Sequence, residues 1–177
     1  MVAWARLRRM AWVLAAALVL GGNGGIPVEA SDCRAAAFHW SDGAPAVNLR
    51  HVFCGELRRG RPLGVHSMRL VGTSPVVTAV APRPDGRDGI YDARVRFRNG
   101  ATKFSTFFPD ACTVEQVVAS IRHAATHGTR DHPQWGKLGP SAPAADAAGF
   151  CLDAAGRPFD IRIGVLADGR VNTAFPD

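Results

Sequence analysis

Hydrophobic and polar residues alternate most strictly between positions 93 and 98, where Ala93, Val95 and Phe97 are separated by Arg94, Arg96 and Arg98. A period of two predicts a half-buried strand with arginine on its outer face. Asn99-Gly100 follows, a pair suited to a two-residue hairpin turn, and "ATKFSTFF" reads as the returning strand. Folding about that turn sets Ala101 opposite Arg98, Thr102 opposite Phe97 and Lys103 opposite Arg96, so Lys103 is expected on the arginine face. Like charges placed opposite each other are unfavourable. Such a face is expected to open to water or to receive something negative.

A second pattern has helical spacing. In "TVEQVVASIRHAATH" the apolar positions Val114, Val117, Val118, Ile121 and Ala125 form one stripe, and Thr113 with Gln116 forms a capping box at its start. Towards the end, Ile161, Ile163 and Val165 alternate into a core, and Asp168-Gly169 predicts a second tight hairpin. The stretches 81–89 and 128–149 carry turn chemistry and read as loops. "CRAAAFHW" reads as a short helix. The order helix, strands, helix, strands predicts an α+β domain with an antiparallel sheet and packed helices.

The first thirty residues are set apart from this pattern. Arg6, Arg8 and Arg9 make a cationic start, "AWVLAAALVL" is an apolar run, and "VEA" ends on the small Ala30. These are the three parts of a secretory signal peptide, and the run is shorter than a bilayer span requires. The expected division is a signal peptide at 1–30 and one domain at 31–177, secreted or periplasmic, with no stable membrane association after cleavage. The remaining chain holds 18 basic and 14 acidic side chains, an excess compatible with a polyanionic ligand but not requiring one. Only Lys103 and Lys137 are lysine among the 21 basic residues. All four cysteines, Cys33, Cys54, Cys112 and Cys151, lie beyond the signal. An even count in an exported chain favours disulfides, but the residues leave three connectivities open.

His51 and His66 carry the candidate chemistry. A lone histidine is by default a packing residue. Here small or polar neighbours and the cationic, glycine-punctuated "RRGRPLG" between the two point to an anion. Two imidazoles can exchange protons near neutrality, and an ammonium can stabilise a phosphorane-like transition state. That set suffices to cleave RNA through its own 2′-OH without metal or other cofactor. His123 and His127 sit four apart on the helix but lack a third ligand and read as ordinary exposed histidines.

"NLRHVFCGELRRGRPLGVHS", "VGT", "YDARVRFRNGATKFSTFFPDACTVEQVVASI" and "DGRVNTAFP" together resemble the bacterial EndoU family of endoribonucleases, which often occur as toxin domains. The most specific blocks are H-x-F-x-G-E, G-x-H-S and "STFFP". The resemblance implies an EndoU-like ribonuclease fold and a catalytic set of His51, His66 and Lys103. His66 would then be the base and His51 the acid, although the residues alone allow the exchange. It also implies single-stranded RNA as partner, with Thr173 and Phe175 placing a base, and an immunity protein if the domain is a toxin. Ser67 and Ser105 are further candidates for substrate contact. Phe175 stands where the family has tyrosine, which keeps stacking but loses a phenol hydrogen bond. Cys112 replaces a frequent tryptophan, which suggests a Cys112–Cys151 bridge and leaves Cys33 to Cys54. Two rivals stand beside the enzyme: an inactive EndoU-fold module binding RNA or protein, and a small disulfide-stabilised envelope protein.

Overall fold

A computed structural model describes residues 32–83, 86 and 88–177. The segment read as a signal peptide lies outside the described residues, as does part of the 81–89 loop. The elements run from a π-helical turn at Arg50–Cys54 through β1 (Glu56–Arg58), β2 (Arg61–Leu63) and β3 (Val77–Pro82). They continue with β4 (Tyr91–Phe97), β5 (Thr102–Phe107), α1 (Val114–His127) and β6 (Arg130–Asp131). The chain closes with β7 (Lys137–Pro140), β8 (Asp160–Val165) and β9 (Val171–Pro176). Every pairing between these strands is antiparallel, in sheets β1-β2, β3-β4-β5 and β6-β7-β8-β9. The fold is therefore α+β, with one α-helix among the described residues.

That helix begins as its capping box dictates. Thr113 accepts from the Gln116 amide, and the Gln116 side chain accepts from the Thr113 amide. Its apolar stripe buries Val117 and Ile121 completely. It lies against β7 at Gly139, where a Cβ would stand 2.2 Å from the Ala124 carbonyl oxygen, so only glycine permits the approach. This lobe holds the larger core: the α1 stripe, Phe53 of the π-turn, Phe108, and Ile161 and Ile163 of β8. Each fully buried aliphatic or aromatic side chain contributes roughly 1.5–3 kcal/mol. The smaller core lies under β3-β4-β5, where Ala93, Val95, Phe97 and Phe107 meet Val65. Cys33–Cys54 and Cys112–Cys151 are both bridged. The first ties the π-turn to the N-terminal segment, and the second ties the approach to α1 to the approach to β8.

Four expectations need correction. "CRAAAFHW" forms turns, not a helix. The 128–149 stretch contains β6 and β7. Val165 does not continue the inward alternation: a register shift after Gly164 leaves it 50% exposed. Most consequential, the β4-β5 hairpin is offset by one residue, with Val95 opposite Lys103 and Arg94 opposite Phe104. The loop is three residues, Arg98 to Gly100, closed by Phe97 N–H to the Ala101 carbonyl at 2.8 Å and Gly100 N–H to the Phe97 carbonyl at 2.9 Å. Of the turn pair only Gly100 has positive φ, +82°, which fits a bulged hairpin and not the two-residue turn. One residue of slip reverses every side chain. Lys103 therefore points with Val95 towards the interior, and Phe104 takes its place among the arginines, within 5.1 Å of the Arg94 guanidinium carbon.

Candidate active site

His51 and His66 are held at the seam between the two cores by a backbone clasp. The His51 amide donates to Asn48 Oδ1 within the entry to the π-turn. The Val65 amide donates to the His51 carbonyl at 2.9 Å, and the His66 amide to the Val52 carbonyl at 2.7 Å. The amide of Phe108, the residue after β5, donates to the His66 carbonyl. Gly64 makes the clasp possible: at φ +72°, a Cβ there would lie 2.0 Å from the His51 carbonyl oxygen. Val65 follows at φ +66° while fully buried. A branched residue in that region stores about 1–3 kcal/mol of strain, which the surrounding packing must hold.

The two rings lie 6.0 Å apart between centroids. His66 is 5% exposed and His51 9%, so each offers only a narrow edge. Both Nδ1 atoms are engaged: His66 with the Thr106 carbonyl at 3.0 Å, and His51 with Glu56 Oε1 at 3.2 Å. A carbonyl only accepts, so His66 Nδ1 carries hydrogen and its Nε2 presents a lone pair when the ring is neutral. Neither Nε2 makes a protein hydrogen bond or is sealed from solvent. Burial, then the nearby Lys103 and His51 charges, hold His66 well below its ordinary pKa, so it is neutral at pH 7. The hydrogen bond from His51 keeps the Glu56 carboxyl below its ordinary range, as an anion.

Lys103 reaches the seam because of the register slip. Its Nζ donates to the Gly64 carbonyl at 2.8 Å and to Ser105 Oγ at 2.6 Å, and burial pulls its pKa down to about 8. Ser105 also donates to the Gly64 carbonyl and is 4% exposed, so it supports the lysine. Ser67 is equally enclosed and accepts from the Arg69 amide. Thr173 and Phe175 lie on the face of β9 away from the α1 core, and Phe175 stacks on His66 at 4.9 Å. The structure thus brings His51, His66, Lys103 and Phe175 together. His123 and His127 lie elsewhere, stacked on α1 at 4.1 Å. Among the described residues no three His, Cys, Asp or Glu side chains form a donor set for a metal.

Two residues beside Phe175 extend the site: Arg162 was not foreseen, and Trp135 was expected to pack or anchor a loop unless exposed, when it could stack on a base. Arg162, opposite Phe175 in the β8-β9 register, is 7% exposed and lies 3.9 Å over the Trp135 ring. Trp135 meets Phe175 edge-on at 5.9 Å and is 44% exposed. The signal was present in "DIRIG": an arginine between two core isoleucines must face the opposite side of the strand.

An ammonium and two imidazoles around one seam, with aromatic rings alongside, suit a phosphodiester and its attached base, which is the class of chemistry that nucleases perform. The model of the bacterial EndoU nuclease family matches residues 46–177, and the chain belongs to that family. A nuclease family implies a nucleic acid as substrate. No curated protein and no solved structure matches the chain.

Proposed function

We propose that this nuclease is an endoribonuclease that cleaves single-stranded RNA by internal attack of the 2′-OH, leaving a 2′,3′-cyclic phosphate and a 5′-OH end. The observation carrying this reading is the opposed wiring of two close imidazoles. His66, neutral with a free Nε2, takes the 2′-OH proton. His51, oriented by the Glu56 anion, gives a proton to the departing 5′ oxygen. The 2′ oxygen bonds to phosphorus as the 5′ oxygen leaves, and the two transfers balance. Lys103 faces the developing charge on the non-bridging oxygens with its remaining proton, and Phe175 stacks on the base. These groups supply the acid, the base and the positive charge from side chains alone.

Export as a toxin or scavenging nuclease is part of the same proposal. Two disulfides are compatible with an extracellular or periplasmic protein, and a toxin would have an immunity protein as partner. The test is cleavage of labelled RNA and of its 2′-deoxy analogue in chelator, with the 3′ end of the product mapped at early times. The expected result is a cyclic phosphate from RNA and intact deoxy strand. Cleavage of both strands, an early non-cyclic 3′ phosphate or a requirement for divalent ions would overturn the mechanism. Tight binding without cleavage would favour an inactive RNA-binding module.

A further inference from the structure

The β1-β2 hairpin presents Arg58, Arg59 and Arg61 within four consecutive residues, all exposed, around a depression of about 380 Å³ that Leu63 completes. Among the described residues none of the three guanidiniums has an ion-pair or side-chain hydrogen-bond partner. The register sets Arg58 directly opposite Arg61, an unfavourable juxtaposition that no acidic side chain among the described residues offsets by pairing. Arg59 occupies the turn at φ +51°, a conformation that asparagine or glycine would take more easily. Local stability therefore disfavours all three arginines, and an anion in the depression would relieve the repulsion.

The hairpin is also fixed in place. At its tip, Asn99 Nδ2 from the β4-β5 turn donates to the Gly60 carbonyl at 2.8 Å. At its base, Glu56 bonds His51, and Gly64, next after Leu63, accepts from Lys103. The opposed arginines begin two residues beyond the Glu56–Leu63 pair, about 7 Å of strand from the base.

We propose that Arg58, Arg59 and Arg61 form a phosphate subsite for nucleotides flanking the scissile bond, so that the enzyme favours strands over isolated dinucleotides. The guanidinium fork matches phosphate oxygens in pairs and does not read sequence. This deepens the RNA-cleaving reading and rests on it for the identity of the strand.

The test compares the full chain with a triple variant, Arg58→Gln, Arg59→Gln and Arg61→Gln, on a labelled octanucleotide and a dinucleoside monophosphate between 50 and 200 mM salt. A 2′-deoxy octanucleotide serves as an uncleavable binding probe. The expected result is a loss of about tenfold or more in the octanucleotide-to-dinucleotide ratio of kcat/KM at low salt. The salt slope of probe binding should fall by about 0.7 for each arginine that contacts phosphate. An unchanged ratio with an unchanged slope overturns the subsite. Equal losses on both substrates also overturn it, because the hairpin would then act only by positioning Glu56 and Gly64. Should wild type cleave neither RNA substrate, the RNA-cleaving reading falls by itself. The probe then decides the subsite: a flatter slope in the variant supports it, and identical binding removes it.

Discussion

His51 and His66 are the same side chain 6.0 Å apart, yet they stand in opposite electrostatic company. Glu56 gives His51 an anion to hydrogen-bond, whereas His66 has a neutral carbonyl at Nδ1, an ammonium nearby and an aromatic ring over its face. Burial and the nearby ammonium disfavour an imidazolium at His66, whereas the Glu56 carboxylate orients the His51 ring. On the proposed mechanism, the direction of proton flow would be set by these neighbours and not by the imidazoles. It also follows from topology: Glu56 opens the strand after the π-turn, and Lys103 enters from a different sheet.

The largest expected effects come from removing either ring. His66→Ala and His51→Ala should each lower kcat by about a thousandfold, and the double variant should fall little further, because the proton transfers belong to one reaction. Roughly multiplicative losses would show that the two act independently and would break the pairing. Lys103→Ala should cost about a hundredfold in kcat with KM little changed. Its pKa near 8 also sets the alkaline limb: the ammonium is present below that value and lost as pH rises through it, so activity falls there. Lys103→Arg keeps its charge and should flatten that limb. The folded value lies below the unfolded 10.5, so the folded state sheds this proton first and stability gains as pH rises between the two. Lys103→Met should accordingly match or exceed wild type in Tm while losing activity, since Ser105 still satisfies the Gly64 carbonyl. A clear fall in Tm would show that the lysine is structural.

Glu56→Gln addresses the other half of the comparison. It keeps a hydrogen-bond acceptor for His51 and removes only the charge. About a tenfold loss of kcat is expected, roughly 1.4 kcal/mol of transition-state stabilisation, with KM unchanged. Combined with His51→Ala it should cost nothing further, because Glu56 touches the site only through that ring. A further loss in the double variant would show that Glu56 reaches the site by another route and would break this half of the comparison.

Much of this was legible in the sequence, and the failures have physical causes. The histidine blocks, the capped helix and the arginine strand carry local signals, and each formed where expected. The hairpin register did not, because Asn-Gly serves both a two-residue turn and a three-residue bulged loop, and only distant packing chooses between them. Phe107, fully buried, and Lys103, hydrogen-bonded to Gly64, favour the observed register even though it leaves Phe104 54% exposed. The sequence therefore pointed to Lys103 while the expected geometry placed it on the wrong face. The clasp between Gly64 and His51 was hidden for a similar reason, since a close approach across thirteen residues has no local pattern. Arg162 was readable only as an inverted position in a core strand, and nothing nearby in sequence joins it to Trp135.

Trp135 offers the smallest effect and the finest resolution of the two halves. Phe175 lies over His66, Trp135 meets Phe175 edge-on, and Arg162 backs the indole at 3.9 Å, so the aromatic surface belongs to the His66 side of the pair. On the proposed mechanism, a nucleobase there would lie beside the 2′-OH whose proton His66 takes. Stacking is worth about 1–3 kcal/mol per base. An edge-on neighbour should supply only the lower part of that, so Trp135→Ala is expected to raise KM about fivefold with kcat unchanged, and Trp135→Phe to recover most of the loss. Gly164→Ala is a second probe of the same surface: its Cβ would stand 3.2 Å from the Trp135 ring and 2.8 Å from Thr173 Cγ2, crowding both without touching either histidine. It should raise KM by a similar factor. A fall in kcat in either variant would mean that Trp135 acts through Phe175 on the His66 ring. The aromatic surface would then be part of what keeps His66 neutral, and its contribution would appear in the acid limb of the pH profile and not in affinity.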